Sequence, residues 1–412
     1  MGITVAASTT ISQGITISAP RVVTGTRDLG PGWVRFAGGV VMAVGPGQPP
    51  SHADVVLPSG VLAPGLVDAQ VNGGFGVDLA GADDAGWTHL ATRLPSTGVT
   101  SWVPTVITAP VPELVAGLRT FARVRPALES TPGAARVLGV HLEGPFLSER
   151  RRGAHRLELL TDPTQDAVDT LVEAGAGGAL LYVTLAPERP GAMAAVKRFV
   201  AAGIRVAVGH SDANDDAVHA AADAGASLVT HLYNAQRPLH HRDAGFVGGA
   251  LVEDRLTCGL IADSHHVAPA AIRIAFSCKR GRIMLVTDAV AALGMPPGRY
   301  VLAGEPAILP EGRPPHRPDG TVAGAAAPLD DCIGNAVAAG VPLPDAIAAA
   351  TRIPADAMGR PELGRLAPGC AADAVWLDAD PDRPIEHPLR ARTTWIAGVP
   401  APLNSRPPTS TS

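Results

Sequence analysis

Apolar and polar residues fall in a repeating two-part pattern along residues 62–287. Short β-type runs rich in Val, Ile and Leu are each followed by an Ala-rich stretch with helical spacing. The runs are Leu62–Ala69, Thr100–Val106, Val137–Leu142, Leu180–Leu185, Arg205–Val208, Ser227–Thr230, Thr257–Ala262 and Ile283–Thr287. Apolar strands alternating with helices predict a parallel sheet covered on its outside. Eight such units within about 240 residues fit an α/β fold of the (β/α)8 TIM-like barrel type. A doubly wound open sheet is the second choice.

The flanks carry a different pattern. From Ile15 to Val61, short β-rich runs (Trp33–Phe36, Gly39–Val44, Asp54–Leu57) are broken by Gly and Pro, with no helical spacing. Gly364–Leu366, Ala374–Leu377 and Thr393–Ile396 repeat that style near the other end. The predicted organisation is therefore a small β-sandwich domain built from both chain ends (1–61 and 363–400) around a barrel at 62–362. Residues 401–412, rich in Pro, Ser and Thr with no apolar face, are expected to form a disordered tail.

Composition narrows the function. A chain of 412 residues that is 46% hydrophobic and 17% charged has ample material for a large core. Its net charge of −5 comes with no basic block, which argues against a nucleic-acid or anionic-lipid partner and for a small molecule. Cys258, Cys278, Cys332 and Cys370 are widely spaced without a C-x-x-C pair, so they are read as reduced thiols. Met1 to Pro20 lacks a basic leader, and no uncharged apolar stretch reaches the roughly 18–20 residues of a membrane span. A cytoplasmic location is the default.

The residues that end the apolar runs carry the chemistry. Asp68, Gln70 and Asn72 follow the first, Glu143 the third, His210 the fifth, His231 the sixth, Asp263 the seventh and Asp288 the eighth. In a barrel all these ends share the C-terminal rim, where such enzymes place their sites. A lone histidine at a strand end is commonly a hydrogen-bonded structural residue. One carboxylate and two imidazoles at neighbouring rim positions, however, supply the three protein ligands of a catalytic divalent metal with a place left for water. Zn²⁺ is the first choice, and Fe²⁺, Mn²⁺ or Co²⁺ also suit the set. The ligands are read as Glu143, His210 and His231. His141, two residues before Glu143 on the same strand face, stands behind it, although spacing alone also permits the reverse assignment. Asp288 is the candidate general base; as an N-cap it would need a long helix, which Gly294 and Pro296-Pro297 disfavour.

Lys197 and Lys279 are the only lysines, and neither ends a predicted strand, so a carbamylated bridging lysine is not expected. Gln70-Val71-Asn72 occupies the place where two-metal hydrolases show His-x-His. One tightly held metal is therefore predicted, with Gln70 and Asn72 behind it or at a weaker second site.

The motifs Pro64-Gly65-Leu66-Val67-Asp68, His141-Leu142-Glu143-Gly144-Pro145, Gly209-His210-Ser211, Thr230-His231-Leu232-Tyr233-Asn234-Ala235 and Val286-Thr287-Asp288-Ala289 occur in the order found in the N-acetylglucosamine-6-phosphate deacetylases. Over nearly its whole length the chain resembles that family of the amidohydrolase superfamily. The resemblance implies hydrolysis of the acetamide of N-acetylglucosamine 6-phosphate, with Glu143, His210 and His231 on the metal and Asp288 moving the proton. It implies that His155 contacts the sugar and, where it reaches the carbonyl oxygen, stabilises the oxyanion. Asn234, Ala235, Arg242 and His266 match substrate-binding positions. It also implies a homodimer in which Arg242 serves the neighbouring subunit's phosphate pocket.

Several positions depart from the family pattern. Gln236-Arg237 replace a usual Met-Pro, Asp243-Ala244 a common Glu-Pro, and Arg156-Leu157 an Asn or Asp with Pro. Ser264-His265 stand where a glycine and a variable residue precede His266, and Ala325-Ala326-Ala327-Pro328 lacks the common Ser and Leu. These departures keep two other expectations in view: a deacylase of another N-acyl amino sugar or related amide, and a non-catalytic sugar-phosphate-binding barrel.

Overall fold

The apolar runs become eight parallel strands: β1 (Leu66–Val71), β2 (Val99–Ile107), β3 (Val140–Glu143), β4 (Leu180–Leu185), β5 (Arg205–Val208), β6 (Leu228–Val229), β7 (Thr257–Leu260) and β8 (Ile283–Leu285). They belong to a computed structural model that describes residues 14–378 and 389–402. Nearly all of the predicted tail lies outside the described residues. Each strand pairs in parallel with the next. A Val71–Ala289 bridge and a 3.0 Å bond from Asp288 N–H to the Gln70 carbonyl join the last strand end to the first. The predicted barrel is thus the observed one.

A helix follows every strand: α1 (Asp84–Arg93), α2 (Val111–Ser130), α3 (Gln165–Ala174), α4 (Ala192–Ala201), α5 (Asp215–Asp223), α6 (Gly245–Val252), α7 (Pro269–Cys278) and α8 (Leu329–Ala338). The sequence explains the packing. Helix α2 buries Leu114, Leu118, Phe121, Val124 and Leu128, spaced three or four apart, as one stripe against the strands. Asn214 starts α5 by accepting a bond from Ala217 N–H with its side chain.

Three strand predictions need correction. Val137–Leu142 breaks at Leu138–Gly139: Arg136–Val137 is a separate short strand beside β2, and β3 begins at Val140. Leu62–Ala69 is not one strand: Val61–Pro64 leaves to pair antiparallel with Ala374–Asp378, and β1 begins at Leu66. Gly65 marks the joint because a Cβ there would lie 2.2 Å from Thr100 Oγ1, so only glycine lets the two strands approach. Gly364–Leu366 is irregular; Leu366 N–H instead donates to the Thr24 carbonyl at 3.1 Å.

The flanking residues form the predicted β domain. One four-stranded sheet comes from the N-terminal side, and a second joins Val61–Pro64 to three C-terminal strands. Ile17, Val34, Phe36, Leu62, Ala374 and Trp395 share its core, which draws on both chain ends. A hairpin that the sequence reading did not anticipate (Gly298–Leu302 with Glu305–Leu309) stands between β8 and α8. Its Leu302 and Ala307 pack with Ile107, Val290 and Ala323, building a wall over the rim. No helix among the described residues is long and apolar enough to cross a membrane.

Candidate active site

Three strand ends bring Glu143, His210 and His231 together. Glu143 Oε1 lies 3.2 Å from His210 Nε2 and 2.9 Å from His231 Nε2, and the two ring nitrogens are 3.1 Å apart. His210 Nδ1 lies 2.8 Å from the Arg151 carbonyl, which can only accept. That contact fixes the proton on Nδ1, so in the neutral ring Nε2 presents a bare lone pair to a carboxylate oxygen. Converging lone pairs repel unless a cation sits among them. Tetrahedral bonds of about 2.0–2.1 Å would place ligand atoms about 3.3 Å apart, close to the observed spacings. The residues therefore fit a divalent metal. Burial alone would raise the Glu143 carboxyl, but in the metal-free protein a second ring proton on His210 or His231 donates to it and holds it well below the usual carboxylate range.

The backbone at the rim is bent to deliver these groups. His210, His231 and Asp288 have φ of 46°, 26° and 52°, in the left-handed region that residues with a Cβ disfavour. Each turns the chain sharply as its strand ends.

Asp288 faces the triad from the opposite side of the rim. Its Oδ1 accepts from Gln70 Nε2 at 3.0 Å and from Asn72 Nδ2 at 2.7 Å. Gln70 Nε2 also contacts both Glu143 oxygens at 3.3 Å, so it spans the two carboxylates. Burial, then the nearby Glu143 charge, raises the Asp288 carboxyl to about 6. Beneath it, Asp68 accepts from Thr287 Oγ1 at 2.6 Å and from Thr287 N–H at 3.2 Å, tying β1 to the residue before Asp288.

His141 points away from this centre. Its Nδ1 meets Thr105 Oγ1 at 3.1 Å, its Nε2 meets Thr184 Oγ1 at 2.7 Å, and its ring stacks on Tyr182 at 3.8 Å. Burial pushes it down to about 3, so it is a neutral ring wedged below Glu143. Both nitrogens are engaged, and Glu143 is left to face the triad.

A cavity of about 350 Å³ opens over these residues, and Asn72, His155, Asn234, Ala235 and His266 also line it. A ring nitrogen of His155 comes within 4.8 Å of ligand atoms of Glu143 and His210, which makes a second conceivable triad. The looser spacing places His155 outside the first set. Thr108 Oγ1 donates to the Glu143 carbonyl at 3.2 Å and so accepts from His155 Nδ1 at 2.8 Å. His155 Nε2 is then an acceptor, suited to a sugar hydroxyl and not to the expected oxyanion role. Burial, reinforced by His210, lowers His155 to about 3 and keeps it neutral. His266 is oriented by Asp263 Oδ2, 2.7 Å from its Nδ1, which turns the other ring nitrogen toward the cavity.

The sequence reading missed Arg150 and Arg151, which line the cavity and share Asp212 at 3.2 and 2.8 Å. The arginine run just before His155 was the available signal. Arg242 does not line this cavity; it is exposed on the loop before α6, its Nη1 bonded to His241 Nε2 at 2.8 Å.

Fold and rim together define a metal-dependent hydrolase working at the C-terminal end of a barrel. Residues 61–400 match the amidohydrolase family model, and a bovine N-acetylglucosamine-6-phosphate deacetylase is 39% identical over 354 residues, 82% of each chain. The chain belongs to the amidohydrolase family, in the group of the N-acetylglucosamine-6-phosphate deacetylases. An N-acetylgalactosamine-6-phosphate deacetylase from Escherichia coli O157:H7 is 37% identical, covering 89% of this chain and 95% of its own. Among solved structures, a Mycobacterium smegmatis N-acetylglucosamine-6-phosphate deacetylase mutant in complex with N-acetylglucosamine 6-phosphate superposes with a TM-score of 0.87 at 35% identity, covering 94% of this chain and 99% of that one. The Pasteurella multocida deacetylase gives 0.84 at 28% identity, covering 93% and 98%.

Proposed function

We infer that this protein hydrolyses the acetamide of N-acetylglucosamine 6-phosphate to glucosamine 6-phosphate and acetate. The observation that carries the reading is the convergence of Glu143, His210 and His231 opposite Asp288 in one cavity. Those three side chains would hold one divalent ion, Zn²⁺ by the donor set. When bound, the ion supplies Lewis acidity toward the amide carbonyl and acidifies water. Asp288 Oδ2, which neither Gln70 nor Asn72 occupies, takes the proton of the attacking water and returns it to the departing amine nitrogen. The neutral His155 accepts from a sugar hydroxyl, and His266, which gives its Nδ1 proton to Asp263 Oδ2, presents Nε2 to the substrate as a second acceptor. The anionic end meets the Asn234–Ala235 backbone and Arg242 of a second subunit in a cytoplasmic homodimer.

The test is release of free amine from N-acetylglucosamine 6-phosphate, its galacto isomer and the unphosphorylated sugar, before and after chelation and Zn²⁺ restoration. Metal-dependent release from the first substrate is expected. The similarity to the E. coli galactosamine enzyme favours one second reading, in which the galacto isomer is preferred. Release from neither phosphate would end both.

A further inference from the structure

The loop after β6 is the most contorted stretch of the rim. Within five residues, His231, Tyr233 and Ala235 have φ of 26°, 79° and 52° without a glycine among them. Such a run does not hold itself, because each residue relaxes more easily to negative φ. Yet its direction matters, since the loop presents His231 Nε2 to Glu143 and lines the cavity with Asn234 and Ala235.

Gln236 lies across the base of this loop. It is 3% exposed, and its side-chain amide behaves like a peptide group of an added strand. Its Nε2 donates to the Thr230 carbonyl at 2.8 Å, just before His231. Its Oε1 accepts from Tyr233 N–H at 2.8 Å, on the far limb. Both contacts hold backbone groups that the left-handed residues have turned away from the barrel ladder. The backbone adds bonds from Ser211 N–H to the Ala235 carbonyl and from Arg237 N–H to the Ser211 carbonyl, at 3.1 and 2.9 Å. The Gln236 side chain itself does not line the cavity.

We propose that Gln236 is a positioning residue whose buried amide clamps the Thr230–Ala235 loop and so sets the direction of His231 Nε2. Methionine, usual here in the family that the sequence resembles, cannot bond both limbs. The departure thus changes how the loop is held without placing a new group in the cavity. The proposal rests on His231 being a metal ligand.

The experiment compares full-length Gln236→Ala and Gln236→Met with wild type and His231→Ala. Zn²⁺ affinity is measured by competition with a chromophoric chelator, and the visible absorption of the Co²⁺-loaded protein reports ligand geometry. Both Gln236 variants are expected to bind Zn²⁺ at least tenfold more weakly and to show an altered Co²⁺ band. Gln236→Met, which fills a similar volume, should keep more of the melting temperature than Gln236→Ala. A wild-type band and affinity in Gln236→Met would show that packing suffices and overturn the clamp. Wild-type affinity in both variants despite lowered melting temperatures would reduce Gln236 to a structural residue and also overturn it. Undiminished affinity in His231→Ala would instead remove the ligand assignment on which the proposal stands.

Discussion

Replacing Asp288 with Asn isolates the proton route because the hydrogen-bond geometry spares the fold. Gln70 Nε2 and Asn72 Nδ2 both donate to Oδ1, at 3.0 and 2.7 Å. The carbonyl oxygen of an asparagine can take that position and keep both partners, leaving its NH₂ where Oδ2 faced the cavity. The backbone bonds of residue 288, to the Gln70 carbonyl and from Ala325 N–H, are unaffected. What is lost is one proton acceptor, for which general base catalysis predicts a fall in kcat of about 10²–10⁴, or roughly 2.7–5.4 kcal/mol in the barrier. Substrate KM should change little.

The pH profile supplies the second readout. The base must be ionised, and burial together with Glu143 raises this carboxyl to about 6. Wild-type kcat/KM should therefore fall on the acid side with unit slope from about that pH, or lower once a bound cation favours the ionised form. The residual activity of Asp288→Asn should lack that limb. Stability moves the other way. A carboxyl raised in the folded state binds its proton more tightly there, so it destabilises increasingly as pH climbs from its ordinary 3.8 through about 6. The metal-free variant should accordingly melt higher than metal-free wild type at pH 7, and the difference should vanish below about pH 4. Amine release and thermal melts at several pH values measure all of this. Turnover within tenfold of wild type, or survival of the acid limb, would refute the assignment.

The remaining expectations follow from the same geometry. Chelation should lower the melting temperature and Zn²⁺ at about a thousand times its Kd should restore roughly 4 kcal/mol of apparent stability, read by titrated melts; no shift would mean that the triad holds no ion in the folded state. Arg242→Ala should raise KM for the phosphorylated sugar, and mixing it with Asp288→Asn should recover activity, because each heterodimer then has one site with both residues intact. Recovery would fail if Arg242 served its own cavity. Arg150→Ala should raise KM for the phosphorylated substrate more than for the unphosphorylated one, since Arg150 lines the cavity with its side chain 83% exposed. Ser264 has φ of 70°, where its family counterpart is glycine, so Ser264→Gly should raise stability by roughly 0.5 kcal/mol: relief of about 1–2 kcal/mol against an entropy cost of about 0.5–1. A melt at or below wild type would contradict this.

The barrel was legible because its strands are short apolar runs separated by helices of one-sided burial, and the triad because each member is the first polar residue after such a run. Asp288 was found the same way. The first strand was misplaced because Leu62 and Leu66 are equally apolar; the division at Gly65 depends on the approach of Thr100, which no local pattern encodes. Likewise the spacing of His141 and Glu143 left their order open, and only Thr105 and Thr184 distinguish them. The acceptor state of His155 depends on where Thr108 sends its single proton, a contact 47 residues away. The hairpin after β8 was hidden by its own composition, half-exposed strands among Gly and Pro.

The departures from the family pattern share a physical character once their side chains are located. Gln236 turns into its own loop, and Asp243 pairs with Arg237 and caps Gly245 N–H at 3.1 Å. Arg156 reaches Glu158 and, at 3.5 Å, Glu305 on the hairpin, which couples the segment after His155 to the wall above it. Ala325 meets Asp288 through backbone groups, so losing a serine there leaves the general base with the same partners. Ser264 is exposed and outside the cavity lining. None of these side chains lines the cavity over Glu143, His210 and His231. They alter how the rim is braced while the groups it presents stay the same, which is why the departures weigh less against a phosphorylated amino sugar than their number suggests. A substrate change would have to come through residues that do line the cavity, with Arg150, Leu302 and Val322 the ones to exchange first.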